Sequence, residues 1–389
     1  MKLIRIFLLS MLTLASAVAL RATNLQYGPW IHQIDEHGFT VLWITEQPSL
    51  DFVEIAEDDG SAFEARTRAR FYETRNGRRV TGRYHSVRIE GLQSGTVYRY
   101  RISGKVVQDD SNAYYTDFGP ERQLTPRKRE LTVKTLDASA QNCRFSIFND
   151  IHFDNARFSA LAGKMDVKKT DFIVLNGDIV SYSEHVDSVA KHSVVPIQAQ
   201  LEKLPIVYVR GNHEGRGRDF HKVYSLFPTA TGEFWYSFRQ GPAAFIVLDA
   251  GEDKADNHQE YSGTADYDAY RARETAWLEA AVKDPSFAEA PVKICLLHVP
   301  TFANEKAWYS QRWITENWAP ILEKAGIDVM LSAHHHRWIC SEAGQDGKAY
   351  PILVNSNLER MDVNVSAHAI EVKTFSVDGT LRHQWRKEK

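Results

Sequence analysis

The chain has 389 residues, 43% hydrophobic and 25% charged, with 47 Lys and Arg against 50 Asp and Glu and a formal net charge of −3. That is material for two domains with a sizeable core. The near-neutral to acidic balance excludes a basic patch made for nucleic-acid backbones, and the three Cys, at 143, 295 and 340, form no metal pattern and cannot all pair with one another.

Lys2 and Arg5 precede an apolar stretch at 6–14, followed by Ala15-Ser16-Ala17 and Ala19. This is the arrangement of a cleavable secretory signal, too short in its apolar part to anchor a mature protein. Residues 1–22 therefore read as a signal peptide, and the address as the periplasm or exterior of a bacterial cell. Removal of Lys2 and Arg5 takes the net charge from −3 to −5, and cleavage after Ala22 removes Arg21 as well, giving −6. No later stretch is long and apolar enough to span a membrane.

Residues 23–137 read as a small all-β domain. Alternating segments at 39–44, 52–56, 84–89 and 97–102 are separated by turn signals such as Asp58-Asp59-Gly60 and Asn76-Gly77. The polar stretch 105–117 reads as a long hairpin or loop, and 133–136 as the last strand. Basic clusters at 66–70, 75–83 and 127–129 are flanked or interrupted by Glu64, Glu73 and Glu130, as on solvated strand faces and turns. The block Leu92-Gln93-Ser94-Gly95-Thr96-Val97-Tyr98-Arg99-Tyr100 resembles the turn and tyrosine-bearing strand of fibronectin type III domains. Together with Gly28-Pro29-Trp30-Ile31 and 39–43, it is similar to the N-terminal domain of purple acid phosphatases. That resemblance implies an Ig/fibronectin III-like β-sandwich.

In residues 138–389 five apolar runs, at 145–148, 172–175, 206–209, 294–297 and 327–331, have the length and β-branched content of buried strands. Each ends in metal-type ligands: Asp150 and His152, Asp178, Asn212 with His213, His298, and His334 with His336. Loops leaving the carboxyl ends of neighbouring strands converge on one crevice, so these residues can meet. Four imidazoles, two carboxylates and one amide are too many donors for a closed tetrahedral zinc, and no Cys is among them. A pair of ions about 3.5–4 Å apart, sharing one bridging carboxylate, fits the count. Asp178 is the natural bridge, because Gly177 before it admits close backbone approach.

The ordered blocks Asp150-Ile151-His152, Gly177-Asp178, Gly211-Asn212-His213-Glu214, Leu297-His298-Val299 and His334-His335-His336 resemble the five motifs of calcineurin-like metallophosphoesterases. One departure is Ala333, where that family usually has Gly; a methyl group there is tolerated unless the backbone has positive φ. The resemblance implies that Asp150, His152, Asp178 and His336 hold one metal, and Asp178, Asn212, His298 and His334 the other. His213 is then free to face the substrate, stabilise phosphoryl oxygens or protonate the leaving group. Glu214 is expected to orient an imidazole, and His335 to take a structural or rim position. Purple acid phosphatases have Gly where His152 stands and a Tyr ligand three residues after the bridging Asp. Here Ser181 has that spacing and Tyr182 follows it, so a tyrosine–iron colour is not expected.

The fold expected of this part is a pair of mixed β-sheets packed together and flanked by helices, an α/β architecture with late strands near 351–355, 368–377 and 381–385. Asp154 is expected to cap a helix over 155–169. Trp308, Tyr309, Trp313 and Trp318 in 302–318 read as an amphipathic helix on the sheet, with a wall of the substrate pocket as the alternative. The remaining histidines, His185 included, read as surface or core residues.

The expected function is a secreted dinuclear-metal phosphoesterase that hydrolyses phosphate mono- or diesters of small molecules by a metal-activated hydroxide. The metals, divalent or trivalent, are Mn, Fe or Zn by donor type. Oligomeric state is not legible. Two alternatives stand: a secreted adhesion or carbohydrate-binding protein on a catalytically inactive scaffold, and a hydrolase of sulfate or carboxylate esters.

Overall fold

The computed structural model describes residues 23–389 apart from 127–129 and 303–305. The leader at 1–22 and the basic cluster at 127–129 lie outside the described residues.

The N-terminal strands are organised by one long element. Strand β1 (Leu25–His32) and strand β4 (Gly82–Glu90) flank the first half of the twenty-residue β2 (Gly38–Glu57). Strand β3 (Arg70–Phe71) and strand β5 (Val97–Asp109) flank its second half, and β6 (Leu131–Lys134) pairs with β5. The β2–β4 register breaks between Ile44 and Ser49, around Pro48, which lacks the N–H a ladder needs. Alternate residues Phe39, Val41 and Trp43 are buried with Val53, Val87, Ile89, Tyr100 and Ile102. The Asn76-Gly77 turn, with φ of 51° and 79°, joins the two-residue strands Thr74–Arg75 and Arg78–Arg79. The stretch after β5 returns as a short paired strand, Asp117–Phe118, so the expected hairpin forms.

Strand β1 also docks on the C-terminal part of the chain. Trp30 Nε1 donates to the Leu226 carbonyl at 3.0 Å, and His32 Nδ1 lies 2.9 Å from the Ile206 carbonyl.

Two six-stranded sheets make up that part. In the first, β7 (Asn142–Phe148), β8 (Phe172–Asn176) and β9 (Ile206–Val209) are parallel. Beyond β7 the antiparallel strands Glu359–Ser366, Ala369–Ser376 and Leu381–Glu388 continue it. In the second, β10 (Ala243–Leu248), β11 (Val292–Leu297), β12 (Val329–Ser332) and β13 (Ile352–Val354) are parallel, between antiparallel edge strands Tyr236–Gln240 and Ile339–Ser341. The sheets are thus mixed and flanked by helices, as expected.

Period-two alternation decides the layers. Phe145, Ile147, Phe172 and Val174 of one sheet meet Phe245, Val247, Ile294 and Leu331 of the other in a common core, with Phe145 edge-on to Phe245 at 5.4 Å. The alternate set Phe148, Ile173 and Leu175 is covered by α1 (Asn155–Ala162) and α2 (Val186–Val194). Ile246, Leu297 and Met330 are covered by α3 (Tyr267–Ala281), α4 (Tyr309–Asn317) and α5 (Ala319–Ala325). Each fully buried large apolar side chain contributes about 1.5–3 kcal/mol.

Two expectations are corrected. Asp154 does cap α1, accepting from the Arg157 N–H at 3.0 Å, but the helix ends at Ala162 rather than 169. Gly163 closes it, and Asp166 starts a separate turn at Val167–Lys169. Strand β10 adds to the five expected strands, and its run Ala-Ala-Phe-Ile-Val-Leu has the same buried, β-rich character. Ala333 has ordinary backbone, since it is not among the positive-φ residues, so its methyl group is tolerated.

Candidate metal centre

All five apolar runs deliver their polar residues at the carboxyl ends of parallel strands: Asp150 after β7, Asp178 after β8, Asn212 and His213 after β9, His298 after β11, His334 and His336 after β12. The cluster therefore straddles the two sheets. Asp150, His152, Asp178, His334 and His336 all have positive φ, between 49° and 73°. For non-glycine residues this costs of order 1–3 kcal/mol each, strain that clusters at functional sites. Two glycines make the close approach possible. A Cβ on Gly177 would lie 2.4 Å from His298 Nδ1, and one on Gly211 would lie 2.2 Å from Asp178 Oδ1.

The side chains converge tightly. Asp150 Oδ2 accepts from the His334 N–H at 3.1 Å and from Asn149 Nδ2 at 2.8 Å, while its Oδ1 lies 3.1 Å from His336 Nε2. Asp178 Oδ1 accepts from the His213 N–H at 2.9 Å, and its Oδ2 lies 3.1 Å from His298 Nε2. His152 Nε2 is 3.2 Å from His336 Nε2, and His334 Nδ1 is 3.1 Å from Asn212 Oδ1.

These contacts fit a cation better than a hydrogen-bond network. His298 donates Nδ1–H to the Asn176 carbonyl at 2.7 Å, which leaves Nε2 facing carboxylates. Both Asp150 Oδ1 and His298 Nε2 are buried without a hydrogen bond of good geometry. Burial disfavours an imidazolium at His298, but the Asp178 and Asp150 carboxylates outweigh it and raise the pKa to about 10. The site thus favours positive charge between these groups, which a bound cation would supply. Asp150, His152 and His336 present donor atoms within 4.8 Å of one another, as do Asp178, His298 and His334. Nitrogen and oxygen donors of this kind suit Mn, Fe or Zn.

His213 belongs to a third such group, with His152 and Asp178, yet its ring is engaged elsewhere. Its Nδ1 lies 2.9 Å from the Ser181 carbonyl, an acceptor only, so Nδ1 carries the proton and Nε2 accepts from Arg216 Nη1 at 3.0 Å. Glu214 does not orient an imidazole. Its buried carboxylate accepts the backbone N–H groups of Asp178 (2.9 Å), Ile179 (2.8 Å) and Gly211 (3.0 Å), fastening two ligand loops together. Burial and the neighbouring Asp178 push its pKa up to about 7.

Ser181, at the spacing of the purple-type tyrosine ligand, places Oγ 3.3 Å from His152 Nδ1, and the half-exposed Tyr182 packs edge-on against Phe153 at 5.2 Å. His335 stacks on Phe302 at 5.5 Å and meets Gln311, a structural position, one of the two expected. Trp318 is buried with Trp313 against it, while Trp308 is half-exposed over Lys254. The helix-packing reading thus holds for Trp313 and Trp318 only.

Sequence reasoning missed Arg216, which completes the contacts of His213 from three residues away, and Asn149, which fixes Asp150. It also passed over Asp249, which ends the sixth apolar run but pairs with Arg210 at 2.7 Å instead of joining the cluster.

An α/β fold that gathers His, Asp and Asn donors from five strand ends across two sheets is the architecture of a metal-dependent hydrolase. The calcineurin-like phosphoesterase pattern matches residues 143–338, half of the chain, and the chain belongs to that family of metal-dependent phosphoesterases. It is 22% identical over 331 residues to purple acid phosphatase 18 of Arabidopsis thaliana, covering 82% of this chain and 66% of that one. Over 178 residues it is 24% identical to the serine/threonine-protein phosphatase CPPED1 of Rattus norvegicus, covering 43% and 54%. The chain thus spans between half and two thirds of these relatives' lengths. A solved structure, TT1561 of Thermus thermophilus, aligns at 14% identity and a TM-score of 0.36, covering 63% of this chain and 98% of that one.

Proposed function

We propose that the chain is a dinuclear-metal phosphoesterase hydrolysing phosphate mono- or diesters. The observation that carries this reading is the pair of adjoining donor groups, Asp150 with His152 and His336, and Asp178 with His298 and His334. Asp178 is 3.1 Å from His298 and 3.9 Å from His152, which supports reading it as the carboxylate shared by the two groups. Asn212 joins the second group beside His334. When bound, the two cations acidify an attacking water and neutralise charge on the phosphoryl oxygens. In the net reaction water oxygen bonds to phosphorus, the ester P–O bond breaks, and the departing alcohol takes a proton. His213 Nε2 lies 3.9 Å from Asp178 Oδ2; in its protonated form, with the hydrogen bond from Arg216 given up, it holds a phosphoryl oxygen or delivers that proton. Glu214 acts through the backbone of the ligand loops.

Residues 138–389 are read as the catalytic domain and 23–137 as an Ig/fibronectin III-like sandwich, a reading supported by β2 changing partners at Pro48. The leader composition of 1–22 supports export to the periplasm or the exterior.

Metal analysis of the purified protein, with hydrolysis of para-nitrophenyl phosphate and its bis-ester with and without manganese, tests the reading. About two metals per chain and release that depends on Asp178 are expected, and the ratio of the two rates separates monoesterase from diesterase. Absence of both metal and turnover would overturn it in favour of a binding role.

A further inference from the structure

A cavity of about 650 Å³ is lined among others by Arg216, Phe220, Glu252, Tyr261, Tyr267 and Tyr270. Its size is that of a small-molecule site. One contact ties it to the chemistry. Arg216 lines the cavity and also reaches His213 Nε2 with Nη1 at 3.0 Å. Gly215, on the same turn, lies so close to Tyr267 that a Cβ would sit 2.7 Å from the phenol oxygen.

Arg216 is held in place. Glu252 grips Nε and Nη2, the latter at 3.0 Å, and is itself fixed by the Asp253 N–H at 3.1 Å and the Tyr261 hydroxyl at 3.2 Å. One Nη1–H is taken by His213, and the other has no partner among the described residues. A guanidinium fixed on one edge and open on the other is suited to an anionic oxygen. The aromatic part of the lining favours a flat group. Tyr261 and Tyr267 meet edge to face at 6.1 Å, Tyr267 and Tyr270 at 6.4 Å, and Phe220 is half-exposed. Of the acids in the lining, Glu252 is neutralised by Arg216 and Glu260 by Lys254 at 3.1 Å, and Asp266 stands in the same lining as Arg273.

We propose that this cavity holds the alcohol portion of the ester, an aryl or nucleoside alcohol stacked on its aromatic walls, and that Arg216 binds a phosphoryl oxygen at its mouth. The proposal rests on the phosphoesterase reading and names the substrate class.

The test uses the full chain loaded with manganese, adenosine 5′-monophosphate and glycerol 3-phosphate as esters, and adenosine binding by calorimetry as a readout independent of turnover. Phe220→Ala should lower the ratio of kcat/KM for the nucleotide over the glycerol ester about tenfold and weaken adenosine binding by a similar factor, on the order of one lost stacking contact. Arg216→Gln should lower kcat/KM for both esters by roughly 10²-fold, as for loss of one oxyanion donor, with Arg216→Lys restoring part of it. Metal content and melting temperature establish that each variant is folded. An unchanged ratio with unchanged adenosine affinity in Phe220→Ala overturns the cavity assignment, and full activity in Arg216→Gln overturns the phosphoryl contact. Hydrolysis of para-nitrophenyl phosphate that Phe220→Ala leaves unchanged, by a protein that does not bind adenosine, defeats this inference alone. Phe220-dependent adenosine binding without any phosphate release supports the cavity while defeating the phosphoesterase reading.

Discussion

The backbone N–H of Asp178 donates to the carboxylate of Glu214 at 2.9 Å, across 36 positions of sequence. The same carboxylate holds Ile179 and Gly211, so one side chain sets the loop carrying Asp178 against the loop carrying Asn212. Glu214→Gln replaces an acceptor oxygen by an NH₂ group facing N–H donors. Buried unsatisfied donors cost about 1–3 kcal/mol each, so a loss of roughly 2–4 kcal/mol in denaturant unfolding is expected, together with weakened metal retention. Wild-type stability and metal content in this variant would remove the fastening role.

Asp178→Ala should abolish metal binding and turnover together. In the wild type, manganese at about 100 times its Kd should add about 2.7 kcal/mol of stability by mass action. Chelation should reverse that gain, and the variant should show none. Calorimetric melts with and without manganese measure both, and an equal metal response in the two proteins would count against the bridge.

His213→Gln should retain both metals yet lower kcat by roughly 10²–10⁴-fold, the span for a proton-transferring group. Loss of metal in this variant would make His213 a ligand, as its proximity to His152 and Asp178 permits.

Stability should fall in mild acid through His32. The ring is enclosed by Phe227 and Tyr236 and bonded to the Ile206 carbonyl, and burial lowers its pKa to about 4. The unfolded chain binds this proton near 6.5, before the folded one does, so the folded state loses stability as pH falls from about 6.5 to 4. Above that window the effect is absent. The difference amounts to roughly 3 kcal/mol. Unfolding free energies at pH 7 and 4.5 should show a smaller drop in His32→Gln, which keeps an N–H for the carbonyl; an identical drop would place the acid sensitivity elsewhere, for instance at buried His85, whose pKa is lowered in the same direction.

Much of the site was legible in the primary structure. Asp150, His152, Asp178, Asn212, His298, His334 and His336 each follow an apolar run, and the structure brings all seven to one crevice. Legibility failed where a residue acts through distant partners. Glu214 looked like an imidazole partner because it stands beside His213, but its oxygens point to the N–H groups of 178, 179 and 211. Arg216 carried no motif, and its role emerges only from Glu252 and the tyrosine wall.

The sequence by itself determined the strand ends and the donor residues that follow them, because burial periodicity and donor type are local properties read one residue at a time. It also determined the turn at Asn76-Gly77, where positive φ selects the residues. Only the tertiary structure decided that Asp249, at the end of an equivalent run, is neutralised by Arg210 and kept out of the cluster, and that Arg216 links His213 to an aromatic cavity. Those outcomes depend on sheet register and on loops packed across two sheets. No segment encodes such distances alone, since each is set by chains that meet only after folding.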